Sequence, residues 1–255
     1  MMLSNQNTRL ALCLAVVFTY LPALSAAQVT VDPEQQSSSP LTPVQHDAAL
    51  QPGELIITTY PLDTVSRAEN SYRSAVTFLQ RGSPQQAKDE LQYALTQQTD
   101  HLAARELLVA LLLEQHATQG AIEVLEAGVA VTPNHVKFPL WLAQLHIKLG
   151  APERALQVLE NTLIRFNQQP HYLGALANLY LLNDRLSESY HYFSQAAQLA
   201  PQDGRWQLGL GMAAEALEDW SGAHGAYRRV QEYSFIDAVL LQFAQQRLTA
   251  INAQL

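Results

Sequence analysis

The chain has 255 residues and a formal net charge of −8, and only 15 of its residues are lysine or arginine. Nucleic-acid binding requires clustered cationic side chains that displace counterions, so this charge balance argues against a nucleic-acid partner. The single cysteine, Cys13, excludes a disulfide within one chain and a zinc site built from cysteines.

Residues 1–27 have the pattern of a secretory signal peptide. Arg9 supplies positive charge, residues 10–21 form an apolar run, and small residues at 25–27 offer a cleavage site. An uncleaved anchor is the alternative, because residues 10–27 reach the lower length limit of a membrane-spanning helix. Both interpretations predict export, with a periplasmic protein in the first case and an inner-membrane protein facing the periplasm in the second.

Residues 28–53 are rich in proline, serine and glutamine, which predicts a disordered linker. The next segment, 54–67, begins with the β-branched run 54–60, which Pro61 closes. We interpret this segment as an extended arm lying on the structure that follows. A strand that pairs with a partner is the alternative, although isolated strands are rarely stable.

Candidate N-caps follow directly at Asp63, Thr64 and Ser66, and Glu69 stands three residues after Ser66. This spacing is typical of a capping box, so it predicts that a helix starts here.

Five blocks of 34 residues then run without a gap, and they share one pattern of small and large side chains. The blocks are 68–101, 102–135, 136–169, 170–203 and 204–237. The eighth place of each block holds a small or medium residue (Ala75, Val109, Ala143, Ala177, Gly211), the twentieth a small one (Ala87, Ala121, Ala155, Ser189, Ala223) and the twenty-fourth a large apolar one (Leu91, Leu125, Leu159, Phe193, Tyr227). Apolar residues recur at helical steps within a block, so each block predicts two helices that approach closely at the small places.

The fourth block carries the clearest family signature. Its signature residues are Leu176, Ala177, Tyr180, Phe193, Ala196 and Pro201. The block resembles the tetratricopeptide repeat. This resemblance implies an all-α fold, a right-handed superhelical solenoid of about five repeats, whose function is to bind other proteins.

Residues 238–255 contain one more helical pattern, which we interpret as a capping helix. A solenoid needs a terminal element with a polar outer face to cover its last apolar surface. Gln242, Gln245, Gln246 and Arg247 are the residues expected to face water.

The sequence contains none of the common catalytic motifs. The eight histidines lack metal-ligand spacing, and no HExxH, GxSxG or phosphate-binding loop occurs. Glu215, Glu218 and Asp219 follow helical spacing and are expected to face solvent, whereas Gly209 and Gly211 are expected to allow close helix packing. The sequence therefore predicts no enzyme activity, no metal and no cofactor.

The repeat resemblance places partner binding on the first helix of each pair, along a concave groove. The predicted groove residues are Leu140, Trp141, Gln144, Ile147, His171, Asn178, Leu181, Arg205, Leu208 and Met212. Asn178 and Arg205 match the residue types with which some family members hold a terminal carboxylate. The matching lysines are absent, so an apolar or helical partner segment fits this groove better.

Several C-terminal segments are similar to one family of tetratricopeptide proteins. They are residues 202–211, 215–217, 226–229 and 242–248, with 104–108 and 148–150 also similar. They resemble the MSHA-type pilus biogenesis family (MshN) of Gram-negative bacteria, whose members carry a longer N-terminal part with a membrane anchor. The resemblance implies a periplasmic scaffold that contacts membrane components or the secretin of a type IV pilus. A general assembly factor or chaperone for outer-membrane secretion components is the alternative.

Overall fold

A computed structural model describes residues 63–232 and 236–252, and all the regular structure in these ranges is helical. The eleven helices are α1 (Thr64–Gln80), α2 (Pro84–Gln97), α3 (Leu102–Glu114), α4 (Thr118–Val131), α5 (Lys137–Lys148), α6 (Pro152–Phe166), α7 (Pro170–Leu182), α8 (Leu186–Leu199), α9 (Gly204–Ala216), α10 (Trp220–Val230) and α11 (Ala238–Asn252). The predicted all-α fold is confirmed. The predicted signal peptide, the linker and residues 54–62 of the arm lie outside the described residues.

The described chain divides into two compact units, one ending at Leu111 and the other beginning at Leu112. The division falls within α3. In the first unit α1 packs against α2. In the second unit each helix from α4 to α11 packs against the next along the chain. None of the described helices combines the length and the apolar character needed to span a bilayer.

The helix-pair pattern predicted from the repeats is confirmed by burial. The residues at the eighth, twentieth and twenty-fourth places are buried in all five blocks. The twenty-fourth-place residues from Leu91 to Tyr227 are all 0% exposed. Small side chains let the paired helices approach, and the large residue fills the space between them. The places that repeat in sequence are therefore the places that form the core.

One turn residue per repeat has a left-handed backbone. The fifteenth place of each block has positive φ, at Gly82, His116, Gly150, Asp184 and Glu218. Each lies in the short turn between the two helices of its pair. Left-handed backbone strains residues that have a Cβ, so glycine suits two of these turns and the other three accept the strain. His116 thus has a structural location, in the short turn between α3 and α4.

Two aromatic residues at the third place join successive repeats of the second unit. Tyr172 is fully buried, and its hydroxyl lies 2.7 Å from Thr162 Oγ1 of the preceding repeat and donates to the Leu159 carbonyl. Trp206 is fully buried against Gly174, where an added Cβ would lie 2.1 Å from the indole ring. The close packing of α7 against Trp206 therefore requires glycine at position 174.

The two glycines of α9 also lie against large aromatic side chains. A Cβ on Gly209 would lie 2.2 Å from the Phe193 ring, and one on Gly211 would lie 2.7 Å from Tyr227. The expectation that these glycines allow close helix packing is confirmed.

The last helix, α11, packs on the end of the second unit through Leu240, Ala244, Leu248 and Ile251, which are buried. Gln242, Gln245 and Gln246 are exposed, as a polar outer face requires. A capping helix is thus a good description of α11.

Two charged residues at this end differ from expectation. Glu215 and Arg247 were both expected to face water, but Glu215 is 6% exposed and pairs with the half-buried Arg247. Arg247 Nε lies 3.0 Å from Glu215 Oε2, and Tyr227 donates to the same oxygen at 3.0 Å. The helical spacing of Glu215 was correct, but α11 covers that side of α9. Glu218 and Asp219 are exposed as expected.

The first helix begins at Thr64, so the last four residues of the segment interpreted as an arm are helical. Asp63 is the N-cap, and its carboxylate accepts from the Ser66 amide at 2.6 Å. This bond to an ionised acceptor lowers the pKa of Asp63. The cap is therefore Asp63 rather than Ser66, and Glu69 pairs instead with Arg73 at 2.8 Å.

Candidate partner-binding surface

Most of the predicted groove residues are buried beneath the surface of the second unit. The buried members are Trp141, Gln144, Ile147, Asn178, Leu181, Leu208 and Met212. The two polar members among them, Gln144 and Asn178, are only 5% and 1% exposed. A partner segment could touch such side chains only if the helices moved apart. These seven residues therefore belong to the packed interior of the second unit rather than to an accessible surface.

Three predicted groove residues are accessible. His171 is exposed, and Leu140 and Arg205 are half-buried. His171 and Arg205 occupy the second place of successive repeats, where the preceding repeat has the exposed Lys137. The accessible part of the predicted groove is thus an edge at the start of α5, α7 and α9.

Arg205 is held at this edge by its own neighbours. Its Nε and Nη2 donate to the Asp203 carboxylate at 2.9 and 2.6 Å, and its guanidinium lies 5.0 Å from the Trp206 ring centre. Asp203 also caps α9 by accepting from the Arg205 amide. A carboxylate on a partner would therefore compete with Asp203 for the guanidinium, which weakens the comparison with a carboxylate-binding groove.

His171 stands beside this pair. Its Nδ1 lies 3.4 Å from Arg205 Nη2, and its ring meets the Trp206 ring edge-on at 5.5 Å. Burial on this side and the nearby guanidinium lower the pKa of His171. This environment favours the neutral imidazole over the cation, so His171 presents an aromatic, hydrogen-bonding surface.

A second accessible surface, which sequence reasoning missed, lies between α6 and α8. We call it the outer groove; its volume is about 720 Å³. Its lining residues are Glu160, Leu163, Ile164, Asn167, Gln168, His191, Tyr192, Gln195, Gln198 and Leu199. Ile164 is 81% exposed and Leu199 is 42% exposed, so the groove offers apolar contact surrounded by amide groups. The available signal was Ile164, an apolar residue outside the buried stripe of α6.

The side of the outer groove at Glu160 is fixed by a polar cluster. Glu160 accepts from the Tyr180 hydroxyl at 2.9 Å and from Arg185 Nη1 at 2.8 Å. Arg185 lies 4.5 Å from the centre of the Tyr180 ring, and Tyr192 stacks on that ring at 5.4 Å. Two repeats therefore hold the outer groove in shape without a partner.

Two further histidines of the described residues, His101 and His146, lie within the packed fold. His101 accepts from the Ala104 amide at 3.2 Å at the start of α3, and its Nε2 lies 3.4 Å from Glu69. His146 is buried in α5, and burial together with Arg154 lowers its pKa. No group of three potential metal ligands occurs among the described residues.

Comparison with known proteins decides the nature of the repeats. One tetratricopeptide-repeat family model matches residues 72–136 and another matches residues 112–179. Together the two models match residues 72–179. The repeats that follow to residue 237 continue the same 34-residue register and the same burial pattern.

Solved structures of other proteins share this fold. MamA from Desulfovibrio magneticus is 20% identical with a TM-score of 0.53, covering 65% of this chain and 94% of that one. A repeat protein from Parabacteroides merdae is 16% identical with a TM-score of 0.57, covering 74% and 77%. PilF from Pseudomonas aeruginosa is 14% identical with a TM-score of 0.53, covering 75% and 91%. No curated protein matches the sequence.

These likenesses establish the tetratricopeptide fold. They do not identify a partner, so the candidate contact sites depend on the accessible surfaces of this chain. Tetratricopeptide repeats are typically non-enzymatic modules that bind proteins. The two accessible surfaces of the second unit, the edge at His171 and Arg205 and the outer groove, are therefore the candidate contact sites for a protein partner.

Proposed function

We propose that this protein is a non-enzymatic periplasmic scaffold that holds partner proteins during the biogenesis of an MSHA-type or type IV-like pilus. The observation that carries the proposal is the repeat fold, in which the eighth, twentieth and twenty-fourth places are buried in all five helix pairs. Within the second unit the helices of successive repeats pack in series and present surface from more than one repeat, which suits capture of another chain.

Two sequence features support the pilus and periplasmic assignments. The leader at 1–27 predicts export, and residues 202–211 and 242–248 resemble the MSHA-type family. The likeness in fold to PilF is compatible with this assignment, although at 14% identity it supports the fold alone. Membrane components of the pilus machinery or its secretin are the proposed partners.

The outer groove is the proposed primary contact. Ile164 would be covered by an apolar side chain of the partner, and the amides of Asn167, Gln195 and Gln198 would bond to polar groups around it. Burying a side chain as exposed as Ile164 contributes about 1.5–3 kcal/mol, which corresponds to roughly a tenfold or larger effect on affinity. The edge at His171 and Arg205 is the proposed secondary contact.

The test is crosslinking in intact cells followed by mass spectrometry of the captured proteins. Ile164→Glu should reduce capture of a pilus-machinery component about tenfold, while His171→Glu should have a smaller effect. Val239→Glu is a matched control, because Val239 is 69% exposed on the capping helix and lies outside both surfaces.

Three results would count against the proposal. Capture unchanged by both Ile164→Glu and His171→Glu would exclude these surfaces. Equal loss in Val239→Glu would indicate a general effect of added charge. Capture of outer-membrane secretion components without any pilus protein would favour the general assembly factor.

A further inference from the structure

The first helix pair carries a groove at places that, in the fourth block, face the helix before the pair. A groove of about 480 Å³ lies on the outer side of α1 and α2. It is lined by Ser71, Phe78, Gln86, Asp89, Glu90 and Tyr93. Phe78 is half-buried and Tyr93 is 48% exposed, so part of the groove is apolar and accessible.

The repeat register shows what normally fills this position. The eleventh place of the fourth block is Tyr180, which donates to Glu160 of α6, the second helix of the preceding repeat. Tyr192 and Gln195, at the twenty-third and twenty-sixth places, face the same helix. In the first block these places are Phe78, Glu90 and Tyr93. They therefore mark the side on which a preceding element would pack.

The residues that pack on α7 from α6 stand at a fixed distance along the chain. Phe166 lies four positions before Pro170, the first residue of α7, and its ring lies 5.1 Å from that of Tyr172. Glu160, ten positions before Pro170, bonds to Tyr180. The occupant of this surface thus stands four to ten positions ahead of the first place of the repeat, which is Pro170 in the fourth block.

In the repeat register the position of Glu160 corresponds to Thr58, within the run of residues 54–60. Thr58 stands twenty positions before Phe78, as Glu160 stands twenty positions before Tyr180. Leu55, Ile56 and Ile57 stand directly ahead of Thr58 in this run. A short tether makes this run the segment with the greatest local concentration near the groove.

We propose that residues 55–60 of the same chain occupy the groove on α1 and α2 and serve as the N-terminal cap of the repeats. Burial of the isoleucines against Phe78 and Tyr93 would remove apolar surface of both elements from water. The second unit has such a cover at its far end in α11, whose polar outer face closes the stack. The inference is independent of the proposed pilus role, because it concerns only how the chain covers its own first repeat.

Crosslinking tests the contact directly. In a Cys13→Ser background of the full chain, Tyr93→Cys is combined with a cysteine at each of positions 55–60 in turn. A disulfide requires Cα atoms about 4.4–6.8 Å apart, so at least one position should link within one chain under mild oxidation. Gln92→Cys is the matched control, because Gln92 is exposed on the same helix but does not line the groove.

Hydrogen exchange measures the covering effect without a crosslink. Ile56→Asp with Ile57→Asp should make the amides of α1 and α2 exchange about tenfold faster, because the cover would be lost. Ser38→Asp with Ser39→Asp adds the same charge upstream and should leave exchange unchanged.

Each possible outcome either supports the proposal or overturns it. Intramolecular links confined to Tyr93→Cys, together with faster exchange in the isoleucine variant, support the proposal. No link at any of the six positions, or equal linking with Gln92→Cys, overturns it. Links found only between two chains would show that a second copy fills the groove, which also overturns it.

Discussion

The ion pair between Glu215 and Arg247 offers the sharpest test of how the capping helix is held. Arg247→Met keeps most of the side-chain volume but removes the cation that faces a carboxylate with a 5% exposed side chain. Removing one partner of a buried pair costs about 3–5 kcal/mol, because the remaining charge has lost its compensation. The substitution should therefore destabilise the contact of α11 with α9.

The loss should be local, since each helix pair of a repeat protein depends mainly on its neighbours. Hydrogen exchange should show α11 opening far more readily, with the amides of α5 to α8 little changed. Adding Glu215→Gln to Arg247→Met should recover much of the lost protection, because the neutral amide still accepts the bond from Tyr227. The double variant is thus the internal control for the charge argument.

Two results would refute this reasoning. If Arg247→Met left the protection of α11 unchanged, the pair would contribute nothing to capping. If the double variant were no more stable than Arg247→Met alone, the cost would come from lost packing of the arginine stem rather than from an uncompensated carboxylate.

Three further predictions concern single residues. Glu218→Gly should raise the free energy of unfolding in urea by about 1 kcal/mol, because it removes the strain of a left-handed backbone at a residue with a Cβ. Gly150→Ala should lower the free energy of unfolding by a similar amount through the same backbone strain, since a Cβ there meets no neighbouring atom. If both substitutions changed the free energy of unfolding in the same direction, this explanation would be wrong. Gly174→Ala should cost about 1–3 kcal/mol from overpacking in the same assay, whereas Gly225→Ala, with open space around it, should stabilise by about 0.5–1 kcal/mol; a harmless Gly174→Ala would disprove the close contact. The pKa of His146 is lowered in the folded state, so the unfolded state takes up the proton first and the protein loses stability as the pH falls below 6.5. His146→Phe should therefore make the thermal stability depend less on pH in this range. An unchanged pH profile would show that His146 does not contribute to the pH dependence.

Periodicity fixed the repeats because helical packing repeats with the same period as the chain. Each of Leu91, Leu125, Leu159, Phe193 and Tyr227 is fully buried, and each could be found by counting in steps of 34. The close-packed Gly211, at the eighth place, could be predicted for the same reason. Local rules of this kind depend only on neighbours that recur at known distances along the chain.

The candidate site was less predictable. Asn178 and Arg205 stand at places that line the groove in related repeats, but here Asn178 is buried and Arg205 is paired with Asp203. Nothing in the sequence shows how tightly the first helices pack, because this depends on the sizes of side chains from several repeats. The outer groove was missed because it requires α6 and α8 to lie side by side.

The sequence alone therefore determined the class of fold, the register of the helix pairs and the capping helix. Tertiary structure alone decided which groove residues remain accessible, and it buried Glu215 against Arg247 although both were expected in water. The physical reason is that exposure belongs to a surface made by several helices. A periodic pattern identifies which side of a helix is apolar, but only the packed neighbours determine how much of the other side they cover.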